Sequence, residues 1–163
     1  MRARPALITL VSIVALLGAG CGSTSSPGAA NASGSPSASS TGSTIAVASD
    51  AKLGQILVDG KGMTVYLFVA DTGTQSTCYS SCAAIWPPVL TSGAPEAGSG
   101  AQASLLGTTT RADGKVEVTY GGHPLYYFIK DKKPGDTTGQ GVNGFGALWW
   151  VMSPSGAAIT STM

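Results

Sequence analysis

From Thr44 onward the chain reads as short apolar and β-branched runs broken by glycine-containing turns, and no segment sustains a helical period. The pattern predicts strands at Thr44–Ala48, Gln55–Val58 and Met63–Val69, joined by Leu53-Gly54 and Gly60-Lys61-Gly62. It predicts three more at Leu105–Arg111, Lys115–Tyr120 and His123–Ile129, joined by Asp113-Gly114 and Gly121-Gly122, both strong hairpin signals. The last strand of each set is apolar on both alternating faces. Val65, Leu67 and Val69 interleave with Tyr66 and Phe68; Leu125, Tyr127 and Ile129 interleave with Tyr126 and Phe128. A strand apolar on both sides is covered on both sides, so these two are expected at the centre. The expected class is all-β, with at most one short helical turn.

The two sets are one pattern written twice. Displaced by 60 residues, Gly54, Val58, Gly62, Tyr66, Phe68 and Asp71 fall on Gly114, Val118, Gly122, Tyr126, Phe128 and Asp131. After a three-residue insertion, Trp86, Ser92 and Gly93 fall on Trp149, Ser155 and Gly156. Residues 45–163 are therefore expected to form a single domain of two tandem β-meander repeats, 45–93 and 105–156. Packed about an approximate two-fold axis, as a sandwich or barrel-like domain, each repeat covers the other's apolar face. The Ser-, Gly- and Ala-rich stretch 91–103 reads as the linker between them.

The motif Tyr-x-Phe-x-x-Asp stands at Tyr66-Leu67-Phe68-Val69-Ala70-Asp71 and again at Tyr126-Tyr127-Phe128-Ile129-Lys130-Asp131. With the strings Ser76-Thr77-Cys78-Tyr79-Ser80-Ser81-Cys82 and Gly135-Asp136-Thr137-Thr138-Gly139-Gln140-Gly141, it resembles a bacterial family of secreted repeat lipoproteins. The resemblance spans essentially the whole domain. It implies a lipoprotein with two repeats, and it brings neither a settled activity nor a catalytic residue.

Ahead of the repeats, residues 1–20 read as an export signal: Arg2 and Arg4 precede an apolar run from Ala6 to Ala19. That run is 14 residues long, short of the roughly 20 needed to cross a bilayer. It ends Leu17-Gly18-Ala19-Gly20-Cys21, which resembles a lipobox, so Cys21 is expected to be acylated, with palmitate or a similar chain, and to seat the protein in the lipid bilayer. From Gly22 to Thr44 only Gly, Ser, Thr, Ala, Pro and Asn occur. Such a composition buries too little to offset ordering entropy, so residues 21–44 are expected to be a lipid-anchored disordered tether. Its root-mean-square span is about 25–30 Å. The expected location is the extracytoplasmic side of the cell membrane, within the envelope.

Composition removes some partners. Lys and Arg number 9 against 8 Asp and Glu, and two of the nine, Arg2 and Arg4, lie in the signal. No basic stripe exists to neutralise phosphates, so nucleic acid is excluded as a partner.

Candidate chemistry is sparse. With Cys21 acylated, Cys78 and Cys82 form a pair in an oxidising compartment. On a helical turn opening at Ser76 or Thr77 and stopped by Pro87, four-residue spacing brings them within disulfide reach. The alternative is a soft-metal or redox site, with copper the fitting cofactor, using Cys78, Cys82 and the single His123; Met63 aligns with His123 across the repeats. Gly139-Gln140-Gly141-Val142-Asn143-Gly144 matches the dinucleotide fingerprint by letter. No βαβ unit surrounds it, and it reads instead as a loop needing positive φ or close backbone approach. Asp71 and Asp131 read as turn caps bonding nearby amides. Adjacent Trp149 and Trp150 must face opposite ways on one strand, so one is expected near the surface as a recognition patch. No nucleophile elbow or triad occurs. Two functions follow as expectations: a non-enzymatic surface binding or structural domain whose partner is an envelope protein or glycan, or a redox or copper-handling protein.

Overall fold

The computed structural model describes residues 42–161. Its elements are β1 (Thr44–Asp50), β2 (Gly54–Asp59), β3 (Tyr66–Phe68), α1 (Ser81–Ile85), β4 (Glu96–Ala97), a 3-10 turn (Ala103–Leu105), β5 (Leu106–Thr110), β6 (Val116–Tyr120), β7 (His123–Pro124), β8 (Asn143–Gly144) and β9 (Ala147–Val151). They form three small sheets, ordered β2-β1-β4, β3-β9-β8 and β5-β6-β7. The class is mostly β with one short helix, and among the described residues no barrel closes.

Each repeat opens with the expected hairpin. β1 pairs with β2 from Ile45↔Asp59 to Asp50↔Gly54, and β5 pairs with β6 from Leu106↔Tyr120 to Thr110↔Val116. Asp50 holds the first turn by accepting the Lys52 and Leu53 amides at 2.8 and 2.7 Å. Over these hairpins the structural correspondence runs one residue off the sequence offset. Leu57, rather than Val58, does in repeat 1 what Val118 does in repeat 2. The Leu57 amide donates to Met152 and the Val118 amide to Val89, while the Leu57 carbonyl accepts from Val65 and the Val118 carbonyl from Leu125. One additional residue in the loop from Asp59 to Met63, set against Tyr120 to His123, absorbs the difference.

The third strands sit at the centre and meet each other. The Tyr66 amide donates to the Tyr126 carbonyl at 2.8 Å and the Tyr126 amide returns a bond to Tyr66 at 3.0 Å. Each then pairs on its other side with the last strand of the opposite repeat. β3 pairs with β9 through Tyr66↔Val151, Leu67↔Trp150 and Phe68↔Trp149. In the same way Tyr126 bridges Pro88, the Tyr127 amide donates to Pro87 and the Ile129 amide to Ile85. The repeats are thus interlocked rather than stacked.

Between them runs a buried column of four parallel rings. Phe128 stacks on Trp86 (centroids 4.2 Å apart), Trp86 on Trp149 (4.0 Å) and Trp149 on Phe68 (4.0 Å). Tyr66 and Tyr126 meet the two tryptophans edge-on at 5.4 and 5.1 Å. Along the column the rings come alternately from the two repeats, about the approximate two-fold. Gly139 lies where this column leaves no room, since a Cβ there would sit 2.8 Å from the Trp86 ring and 2.9 Å from the Tyr66 ring. The glycine run therefore serves close approach at Gly139 and positive φ at Gly141 (70°), as its composition suggested.

Several expectations are corrected. Trp149 and Trp150 do face opposite ways, but both faces are core: Trp149 lies in the ring column and Trp150, 8% exposed, packs in a second cluster with Leu67, Leu125 and Met152. Neither offers a surface patch. Val69 and Ile129 are 53% and 44% exposed, because each stands past the end of its central strand, where the cover stops. The helix opens at Ser81 rather than near Ser76, because the Ser76 and Thr77 hydroxyls are engaged elsewhere. Apart from these corrections, the linker carries β4, which adds to the outer edge of β1 in parallel. The signal, Cys21 and most of the tether fall outside the described residues.

The symmetric column predicts symmetric sensitivity. Phe68→Ala and Phe128→Ala should each cost about 3–5 kcal/mol, a large share of the roughly 5–15 kcal/mol a domain has. Urea unfolding midpoints should fall by similar amounts. A shift in one variant alone would show that the column is not shared.

Candidate functional site

The duplicated motif residues converge on the repeat–repeat boundary, and they cross it. The Tyr66 hydroxyl donates to Asp131 Oδ2 at 2.6 Å, and the Tyr126 hydroxyl donates to Asp71 Oδ2 at the same 2.6 Å. The second oxygen of each aspartate organises the loop that follows it. Asp71 Oδ1 accepts the Thr77 amide and hydroxyl, both at 2.7 Å; Asp131 Oδ1 accepts the Thr138 amide at 3.0 Å and hydroxyl at 2.5 Å. The aspartates are caps, as expected, but of a loop six or seven residues on, and their other oxygen faces the opposite repeat. Both tyrosines and both aspartates are buried. Burial, then the carboxylates near each hydroxyl (Asp131 for Tyr66; Glu117 and Asp71 for Tyr126), pushes both phenol pKa values far above normal, so the hydroxyls remain donors.

The two repeats match one family model. The chain belongs to the Lipoprotein_15 family, the secreted repeat of unknown function. The match covers residues 47–90 and 107–153, the two repeats. No curated protein and no solved structure matches the chain.

What the repeats of this family member do not share is as informative. At the position of Ile56 in β2, β6 carries Glu117, fully buried. Arg111 Nη1 donates to Glu117 Oε2 at 2.6 Å and to Ser76 Oγ at 2.8 Å, and Nη2 donates to the Cys78 carbonyl at 2.6 Å. The guanidinium also lies 4.5 Å over the Tyr79 ring. Ser76 Oγ is in turn 2.7 Å from the Tyr126 hydroxyl, so the ion pair joins the Tyr126–Asp71 bond in one network. Glu117 Oε1 has no hydrogen-bond partner among the described residues. Burial raises the Glu117 pKa to about 7, against the downward pull of Arg111 and with small upward contributions from Asp71 and Asp113. Burial opposes the Arg111 cation, yet the Glu117 carboxylate outweighs it and holds the Arg111 pKa above normal.

A second unshared pair is open to solvent. Tyr127, standing where repeat 1 has Leu67, donates its hydroxyl to Asp59 Oδ2 at 3.1 Å. Asp59 Oδ1 accepts the Lys61 and Met63 amides at 2.9 and 2.8 Å. Asp59, Lys61 and Tyr127, with Ser43, Thr44 and Gly60, line a cleft of about 350 Å³. The pattern of apolar faces hid Tyr127, which reads there as core; its mismatch with Leu67 is the signal that distinguishes it.

The copper alternative is not assembled. Cys78 and Cys82 are joined in a disulfide with Cα atoms 5.2 Å apart, and both are buried. Among the described residues no three His, Cys, Asp or Glu side chains are grouped to hold a metal. His123 stands at the start of β7, its Nδ1 buried and without a hydrogen-bond partner among the described residues, and it is not grouped with the cysteines there as a ligand. Met63 serves through its main chain, its carbonyl accepting the Asp59 amide at 2.8 Å.

Two measurements test this geometry. A double-mutant cycle on Tyr66→Phe and Asp131→Asn should return a coupling of about 1–3 kcal/mol. The cycle on Tyr66→Phe and Asp71→Asn, within one repeat, should return much less, and equal couplings would contradict the crossing. For Glu117, the folded pKa near 7 exceeds the roughly 4.3 of an unfolded glutamate. Its contribution is fully present below about pH 4.3 and is lost as pH rises towards 7, because the unfolded chain releases the proton first. Stability relative to Glu117→Gln should therefore fall over that range, by about 4 kcal/mol at most. Parallel unfolding curves for the two proteins at every pH would show that burial does not hold the proton.

Proposed function

We propose that the protein is a lipid-anchored extracytoplasmic module of the cell envelope that binds or spaces a partner without catalysing a reaction. The observation that carries this reading is the fate of the shared motif. Tyr66, Phe68, Asp71, Tyr126, Phe128 and Asp131 are all buried and engaged in joining the repeats. A pair of sites built for catalysis would present polar groups to a cleft, whereas here the duplicated polar groups satisfy each other. The secreted character of the family and the Leu17-Gly18-Ala19-Gly20-Cys21 string support acylation at Cys21. No described helix is long and apolar enough to cross a membrane.

The partner is an envelope protein or a glycan, met at the polar cleft of Asp59, Lys61 and Tyr127 rather than at the ring column. A phenol beside a carboxylate and a lysine offers donors and acceptors of the kind sugar hydroxyls and peptide groups take.

Cys21→Ser should move the protein from the membrane pellet to the soluble fraction after a high-salt wash. Retention in the pellet would mean an uncleaved signal anchor instead of a lipid. Turnover of an envelope substrate by the purified protein, abolished by one polar substitution, would overturn the non-enzymatic reading.

A further inference from the structure

The chain has six lysines, all exposed, and they are unevenly placed. Four of them stand on two loops that touch. Lys61 lies in the turn after β2, and Lys130, Lys132 and Lys133 follow the central strand of repeat 2. The Gly135 amide donates to the Gly62 carbonyl at 3.2 Å, and a Cβ on Gly62 would lie 3.1 Å from the Pro134 Cβ, so the loops abut. The other two lysines are elsewhere. Lys52 is in the turn at the opposite end of the β1–β2 hairpin, about 17 Å from Asp59 along the strand. Lys115 sits in the β5–β6 turn beside Asp113.

The acids of the two loops are engaged by the loops themselves. Asp59 Oδ1 accepts two amides, and Asp136 Oδ2 accepts the Lys132 and Lys133 amides at 2.9 and 3.1 Å. The ammonium groups are left largely uncommitted. Of the four, Lys133 alone has an ion pair among the described residues, an exposed one at 3.4 Å to Asp136. Lys132 donates to the Ile129 carbonyl at 2.6 Å, and Lys61 and Lys130 meet no carboxylate there. Inside the cleft the spare capacity is of the opposite kind. Asp59 Oδ2 accepts one bond, from Tyr127, and keeps room for another, and the phenol oxygen can accept as well. Glu96, in register with Thr44, adds a further carboxylate on this side. The cleft therefore takes hydrogen-bond donors, and negative charge is met on its lysine rim.

The corresponding positions of the twin repeat carry none of this. Lys130, Lys132 and Lys133 match Ala70, Thr72 and Gly73, and Tyr127 matches Leu67. Lys61 stands in a loop whose counterpart is Gly121-Gly122, and Asp59 is matched by Tyr120. Residues of both repeats thus depart from the duplicated pattern at the same end of the domain. We propose that this end binds an acidic polysaccharide of the envelope. Its sugar hydroxyls donate to Asp59 and Tyr127 in the cleft, and its carboxylate or phosphate groups meet Lys61, Lys130, Lys132 and Lys133. The proposal rests on the reading that the partner is met at this cleft, and it selects the glycan and gives it a charge. Lys130 lies three residues beyond Tyr127, at most about 10 Å away, a spread that successive units of a polymer cover and a single acid group does not.

Calorimetric titration of the mature chain carrying Cys21→Ser with polygalacturonate, phosphorylated dextran and neutral dextran tests this. At least one acidic polymer should bind, more weakly as salt rises, and neutral dextran should not. Lys130→Gln/Lys132→Gln/Lys133→Gln should weaken that binding at least about tenfold. Tyr127→Leu, which installs the residue repeat 1 carries at that position, should weaken it too. The control pair Lys52→Gln/Lys115→Gln should change it by less than about twofold. An equal loss in the control pair would reduce the effect to bulk charge and overturn the proposal. Neutral dextran binding as tightly as the acidic polymers, lost in Tyr127→Leu but kept in the triple lysine variant, would overturn the acidic class and leave the cleft a glycan site. Binding unchanged by Tyr127→Leu would remove the cleft, and with it the reading beneath. Binding of neither acidic polymer overturns the proposal, and lysine-dependent sedimentation with phosphatidylglycerol vesicles would then assign these cations to the membrane surface.

Discussion

Everything in this domain depends on an exchange across one boundary. Each central tyrosine donates a hydrogen bond to an aspartate of the other repeat, and each repeat's last strand completes the other's sheet. A buried phenol or carboxylate without its partner carries a desolvation cost of about 1–3 kcal/mol. Neither half can meet that requirement alone. The ring column reinforces the dependence, because every stacked pair in it joins residues of different repeats. Local structure is therefore subordinate: β3 has three residues, and it persists because both its neighbours come from the partner repeat.

Much of this was legible along the chain because it is periodic. The Asp113-Gly114 and Gly121-Gly122 turns, the two-faced apolar strands and the offset of the motif all report on neighbours close in sequence. Pairing across 60 or more residues leaves no such mark. Nothing in Tyr66-Leu67-Phe68 says that Trp149-Trp150-Val151 lies beside it rather than its own Trp86-Pro87-Pro88. The errors follow from that blindness. One of Trp149 and Trp150 seemed bound for the surface because the second core, which takes Trp150 in beside Leu125 and Met152, is supplied by distant segments. Ser76 read as a helix cap, though Arg111 and Tyr126 hold it. Val69 and Ile129 fit the apolar pattern but lie where the partner strand ends.

Comparison of the repeats with each other carried information that comparison with an ideal pattern did not. Matched residues turned out to be the boundary itself. Mismatches mark the places where one half does something its twin does not: Glu117 against Ile56, Tyr127 against Leu67, Arg111 near the position of Asp50. One mismatch is buried and joins the Tyr126–Asp71 bond to an ion pair. The other opens a polar cleft beside the point where the tether enters.

The reciprocity of the strand exchange has a consequence for how such a protein can change. Because the tyrosine–aspartate bonds, the strand pairings and the ring stacks across the boundary come in two-fold-related pairs, two separate single-repeat chains could in principle build the same core interface as a symmetric dimer. In that dimer any substitution strikes both halves at once, so a buried glutamate would arrive together with its own duplicate across the axis. Joining the halves through residues 91–103 removes that coupling. One half can keep the plain hydrocarbon of Ile56 and preserve the packing, while the other takes on Glu117 with Arg111 to neutralise it. Fusion thus turns an enforced symmetry into a division of labour.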